Sequence, residues 1–97
     1  MENKREELIE LYDLYYSLLT DKQQEYFENY YFMDLSITEI AENFEISRNG
    51  VHDQLKRVAN ILYDYEDKLK LNDKIKRIND LKIQDSIKDE ILNIIKE

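Results

Sequence analysis

The sequence predicts an all-α fold, and three observations carry that prediction. Its 97 residues contain a single Gly and no Pro, the residues that most reliably interrupt helices and build turns. Apolar residues recur at spacings of three and four, the period of one helix face. At two places Thr or Ser stands three residues before Gln or Glu, the reciprocal pairing that starts a helix. The length suits one compact domain that buries roughly two-thirds of its unfolded surface. Residues 1–71 are read as that domain and residues 72–97 as a C-terminal helical extension.

The first stripe is Leu8, Leu11, Tyr15 and Leu18, widened by Tyr12 and Leu19, and predicts a helix from about Glu6 to Leu19. Thr20-Asp-Lys-Gln23 is a capping box that opens a second helix. Its inward face is Tyr26, Phe27, Tyr30 and Tyr31, and it ends near Met33 and Asp34. Ser36-Ile-Thr-Glu39 is a second box, opening a short third helix with Ile37, Ile40 and Ala41 on one face. Phe44 and Ile46 follow after a break containing Asn43.

Ser47 can cap a fourth helix whose apolar positions are Val51, Leu55, Val58, Leu62, Tyr65 and Leu69. Their heptad-like spacing makes this the longest helix expected. Its first half covers the third helix. The distal half reaches past a small domain and needs a partner, which helix one or a second subunit could supply. A homodimer is therefore expected from this seam, Val58 to Leu69, together with the amphipathic stripe near the C-terminus, with Leu62, Tyr65 and Leu69 as its contacts on the fourth helix; a monomer with the last helices folded back over helix one is the alternative. After a break at Lys70-Leu-Asn-Asp, the residues Ile75, Ile78, Leu81 and Ile83 and then Ile87, Ile91, Ile94 and Ile95 predict one or two further helices.

Charge and composition exclude several functions. Lys and Arg number 14 against 22 Asp and Glu, a formal charge of -8, so the molecule as a whole repels phosphate and is no polycationic binder. Without Cys and with one His, disulfides, thiolate chemistry, Cys-based zinc sites and multi-His sites within one chain are excluded. No cofactor or metal is expected. No stretch approaches the roughly 20 apolar residues of a membrane span, so a soluble, cytoplasmic protein is expected. Catalysis lacks its parts: there is no Gly-rich phosphate loop and no nucleophile elbow near the single His.

The segment from Ser36 to Arg57 follows the helix-turn-helix plan: a short capped helix, a tight turn and a second capped helix. Ala41 is the small residue needed where the helices cross, and Ile46, Val51 and Leu55 are placed to plug the turn and the second helix. The run LSITEIAENFEISRNGVHDQLKRV resembles the fourth-region domain of sigma-70-type factors, with its pattern LS-x-x-EIAE-x-x-x-ISR-x-x-V. The wider run YDLYYSLLTDKQQEYFENYYFMDLSITEIAENFEISRNGVHDQLKRV, followed by YEDKL, resembles the YlxM family of small bacterial helix-turn-helix proteins. The resemblance covers about Leu8 to Leu71, and the last helices only weakly. It implies a sigma-like DNA-binding fold in a regulatory or accessory protein of the signal recognition particle pathway, because genes of that family neighbour the gene of the particle's GTPase.

With Val51, Leu55, Val58 and Leu62 turned inward, Asn49, Asp53, Lys56 and Asn60 face outward, flanked by Gly50, His52 and Arg57. Asn49 suits the N6 and N7 atoms of adenine, Asp53 suits cytosine N4, and Lys56 suits guanine or a phosphate. Arg48 stands where the free amides of a helix start could join it on a phosphate. The candidate nucleic-acid-binding set is therefore Arg48, Asn49, His52, Asp53, Lys56 and Arg57. The same residues are also what solvent selects on any exposed helix face, His52 included. Gly50 either admits a close backbone or is simply tolerated in a first turn.

From Ser47 to Leu62 the balance is +2, whereas residues 1–35 carry nine acids against three bases. The basic patch is thus small, and a dimer or added basic surface would be needed for strong phosphate binding. Most of the eight tyrosines fall at core spacings, which favours packing over a base-stacking platform. Tyr16 and Tyr63 fit an interface better. Two functions remain in view: a nucleic-acid-binding accessory protein whose ligand is DNA or RNA, and an acidic adaptor docking on the signal recognition particle GTPase without touching nucleic acid.

Overall fold

The computed structural model describes residues 2–97, with side chains from Lys4 onward. The elements in order are α1 (Glu2–Tyr15), a single 3-10 turn (Tyr16–Leu18), α2 (Asp21–Tyr31), α3 (Ile37–Phe44), α4 (Arg48–Leu69), α5 (Leu71–Asn79) and α6 (Asp85–Lys96). Every regular element among the described residues is helical, as composition and periodicity predict.

The two sequence-predicted capping boxes both form. Thr20 accepts from the Gln23 amide while the Gln23 side chain accepts from the Thr20 amide, and Ser36 and Glu39 repeat the exchange. Extended backbone at each cap residue turns the chain sharply into its helix. This is why the first helix stops at Tyr15 and not at Leu19: the chain tightens through the 3-10 turn so that Thr20 can take up its cap. Leu19 still reaches the core, but Leu18 is left exposed. Phe44 belongs to α3 itself, since the helix continues through Asn43.

Helix ends elsewhere use left-handed residues other than Gly. Asp34 follows α2, Glu45 ends α3 and Lys70 ends α4, each with φ near +55°. At Glu45 the chain reverses and the Ile46 amide closes on the Ala41 carbonyl. That reversal and Ser47 form the whole turn between α3 and α4. Ile46, expected to plug the turn, sits at its rim with 36% of its surface exposed.

The core is in two parts that share α2 and α4. One packs Leu8, Leu11, Tyr12, Tyr15 and Leu19 against Phe27, Val58 and Leu62. The other packs Tyr26 against Ile40, Ala41 and Val51, with Leu55 and Phe44 at its edge. Neighbouring Tyr26 and Phe27 thus face different clusters. Tyr12 stacks on Phe27 at 4.2 Å between centroids, and its hydroxyl donates to Glu28. Burial first, and that bond second, raise the Tyr12 phenol above its usual range.

The expectation for Leu62 is corrected here. Leu62 is fully buried within its own chain, against α1, and so presents nothing to a second subunit. Of the two partners the sequence left open for the distal half of α4, helix one is the one that covers Leu62. Tyr65 is half-buried against the Tyr15 ring, 5.8 Å between centroids, while Leu69 remains 44% exposed. Tyr63 packs at the edge of the first cluster, where burial, followed by the Glu7 carboxylate, raises its phenol.

The joint between α4 and α5 is one residue, Lys70, which brings no side-chain cap. Glu66 takes that role from one turn earlier. Its Oε1 accepts from the Asn72 amide at 3.0 Å and its Oε2 from the Asp73 amide at 3.1 Å. A carboxylate at a helix start is favoured by both the free amides and the dipole. No described helix is long and apolar enough to cross a membrane.

Candidate nucleic-acid interface

Ser47 fixes the start of α4. Its hydroxyl accepts from the Gly50 amide at 3.0 Å, which leaves the side chains of the first turn free to project. A Cβ added at Gly50 would lie 3.2 Å from Ser47 Oγ and 3.5 Å from Ile46 Cδ1. The bare position therefore leaves room for the cap and for Ile46. Opposite that start, Ala41 and Ile40 of α3 are buried against Val51, so the angle between the two helices is set by a small residue at their crossing.

Arg48, Asn49, His52, Asp53, Lys56 and Arg57 are all exposed, and Val51 and Val58 of the same helix are fully buried. The six thus lie on the solvent side of a helix whose other side is anchored in both core clusters. Asp53, Lys56, Arg57, Asn60, Ile61, Asp64 and Tyr65 line one shallow surface groove. Arg48, Asn49 and His52 stand nearer the helix start and outside its lining. Ile61 and Asp64 extend the surface beyond the set expected from sequence. The signal for Asp64 was present, because it continues Asp53, Lys56, Arg57 and Asn60 at steps of three and four.

The cations on this surface are uncommitted. Among the described residues, Arg48, Lys56 and Arg57 make no side-chain hydrogen bond or ion pair, whereas Arg5 is held by Asp34 and the Tyr31 carbonyl, Lys68 by Asp64, Lys76 by Glu10 and Arg77 by Asp73. The Asp64 bond, 2.9 Å long, raises the Lys68 amine. Asp64 is thereby turned toward the next turn of its own helix. What remains at the groove is a short row of amide, carboxylate and cationic groups, able to give and accept hydrogen bonds with base edges and to hold phosphate at two or three points.

A short capped helix, a three-residue turn and a long second helix anchored on one face and polar on the other define a helix-turn-helix protein. The chain belongs to the UPF0122 family, whose model matches residues 2–97 and is described as "Putative helix-turn-helix protein, YlxM / p13 like". It is similar to a UPF0122 protein of Ureaplasma parvum, 52% identical over 79 residues, covering 81% of this chain and 80% of the relative. A UPF0122 protein of Fusobacterium nucleatum is 44% identical over 93 residues, 92% of this chain and 89% of the relative. Another, from Streptococcus suis, is 46% identical over 83 residues, 86% of this chain and 68% of the relative. The family match reaches into the last helices, where the resemblance read from the sequence was weak.

Proposed function

We propose that this protein is a nucleic-acid-binding accessory factor that lays the outer face of α4 into a groove, with a regulatory role in the signal recognition particle pathway. The observation that carries the reading is the exposed, uncommitted row Arg48, Asn49, His52, Asp53, Lys56 and Arg57 on a helix otherwise fixed in the core. Asn49 and Asp53 are the base-reading groups. Arg48, Lys56 and Arg57 hold phosphates or guanine. The pathway rests on the resemblance to the YlxM family and its gene neighbourhood, and the sigma-like fourth-region pattern supports a groove-reading helix.

The test is fluorescence anisotropy of labelled signal recognition particle RNA and of a DNA duplex, titrated with protein at two salt concentrations. Binding that weakens as salt rises is expected, with a smaller salt slope for Lys56→Ala and for Arg57→Ala. Flat traces for both ligands at low ionic strength overturn the reading.

A second reading, docking on the signal recognition particle GTPase, is favoured by a different surface. Tyr16 and Phe32 both pack on Tyr12, at 5.8 and 5.6 Å between centroids. Both stay half-exposed, and Met33 beside them is more so. They lie within the acid-rich residues 1–35, a setting suited to a basic, apolar partner. Absence of co-migration with the GTPase in size-exclusion chromatography removes this reading.

A further inference from the structure

The α5–α6 hairpin is built unlike the rest of the molecule. None of the residues of α6 is buried, and its stripe Ile87, Ile91 and Ile94 ends at a residue 69% exposed. Beside it, Ile78, Leu81 and Ile95 form an apolar groove rimmed by Lys74 and Arg77. A helix of 12 residues is marginal in water by itself and gains its stability from packing. The hydrogen bond from Lys88 to the Asn79 carbonyl ties α6 to α5, and Ile91 is partly buried while Ile87 and Ile94 stay exposed.

Two quantities bear on what covers it. The molecule exposes 7135 Å², whereas a compact chain of 11.9 kDa exposes about 6,000 Å². The excess over the whole chain, about 1,100 Å², leaves room for the roughly 800 Å² each partner contributes to a standard interface. Charge gives the second argument. Residues 1–69 hold 7 bases and 16 acids, a balance of -9, and residues 70–97 hold 7 bases and 6 acids, a balance of +1. The acid-rich part of the chain repels a second copy, whereas the near-neutral hairpin carries no such penalty.

We propose that the α5–α6 hairpin is a self-association surface, in which α6 of each copy lies in the α5–α6 groove of the other about a two-fold axis. Ile87, Ile91 and Ile94 fill the apolar floor. Glu90, exposed beside that stripe on the same helix, meets Lys74 and Arg77 on the rim. Such a contact is isologous, so each attraction occurs twice. Of the two surfaces the sequence offered for a dimer, the α4 seam and the C-terminal stripe, the proposal takes the stripe. The inference is independent of what α4 binds.

Sedimentation equilibrium of the full chain at micromolar concentration tests it. Twice the chain mass is expected, and a monomer at every concentration overturns the proposal. The double variant Ile87→Glu, Ile94→Glu is expected to be monomeric, and a dimer that persists overturns it. Charge reversal guards against a merely unfolded α6. The variant Lys74→Glu, Arg77→Glu and the variant Glu90→Lys should each dissociate more readily than the parent. An equimolar mixture should recover the parent's association, because each groove then meets an opposite charge. Failure of the mixture to recover also overturns it.

Discussion

The hydroxyl of Tyr15 donates to Oε1 of Glu66 at 2.7 Å, joining groups 51 residues apart. The same hydroxyl accepts from the Leu71 amide at 3.2 Å. With the Asn72 and Asp73 amides on Glu66, this pair satisfies all three opening amides of α5. It also fastens the end of α1 to the joint between α4 and α5. Tyr15→Phe is expected to lower unfolding free energy by about 2 kcal/mol, the range for a hydrogen bond to a charged group. Urea denaturation measures it. Glu66→Ala should cost more, since it frees two amides together with the hydroxyl, and a smaller loss than for Tyr15→Phe would show that the carboxylate is not the cap.

Alkaline pH should destabilise the fold through the same residue. Burial, and then the bond to Glu66, push the Tyr15 phenol up to about 12, and Tyr12 and Tyr31 shift in the same direction. In the unfolded chain a tyrosine titrates near 10. Above that pH the unfolded state gives up protons that the folded state keeps, so stability falls as pH rises. The contribution of Tyr15 is complete below about pH 10 and gone once pH passes about 12. Thermal melts from neutral to strongly alkaline pH should show this decline, and Tyr15→Phe should make it shallower.

Two helix ends offer stabilising changes. Glu45 and Lys70 hold left-handed backbone, at φ 55°, ψ 44° and φ 55°, ψ 33°, a region that disfavours a Cβ. Glu45→Gly and Lys70→Gly should each raise stability by about 0.5–1 kcal/mol, the relief of strain exceeding the greater freedom of Gly in the unfolded chain. A fall in the denaturation midpoint for both would contradict the assigned conformation.

The seam of α4 can be divided by truncation. Leu62→Ala removes a fully buried side chain and should cost about 2–5 kcal/mol at any protein concentration. Leu69→Ala, at a half-exposed position, should cost less than about 1 kcal/mol. Equal costs, or a cost at Leu62 that varies with concentration, would count against the burial of Leu62 by α1.

The elements were legible where a local rule decides them. Thr20 with Gln23 and Ser36 with Glu39 announce their helices through groups three residues apart, and Val51 and Val58 announce a buried face through period alone. Partner choice is not local: the stripe through Leu62 is the same whether α1 or another subunit covers it. The endings at Glu45 and Lys70 were also hidden, because neither residue type signals left-handed backbone and the single Gly of the chain is spent at Gly50. On α4 the outward direction of the candidate residues was readable from helical period. That Lys56 and Arg57 share a groove with Ile61 depends on side-chain placement beyond that period.

Tyr26 and Phe27 are neighbours in sequence whose rings enter separate clusters, which makes α2 a party wall. The helix-turn-helix half cannot loosen without withdrawing Tyr26, and that movement drags the backbone that seats Phe27 against α1. The two halves therefore open together. In hydrogen exchange, the central amides of α2 should be released only when the whole domain unfolds, and any ligand that steadies α4 should slow exchange as far away as α1.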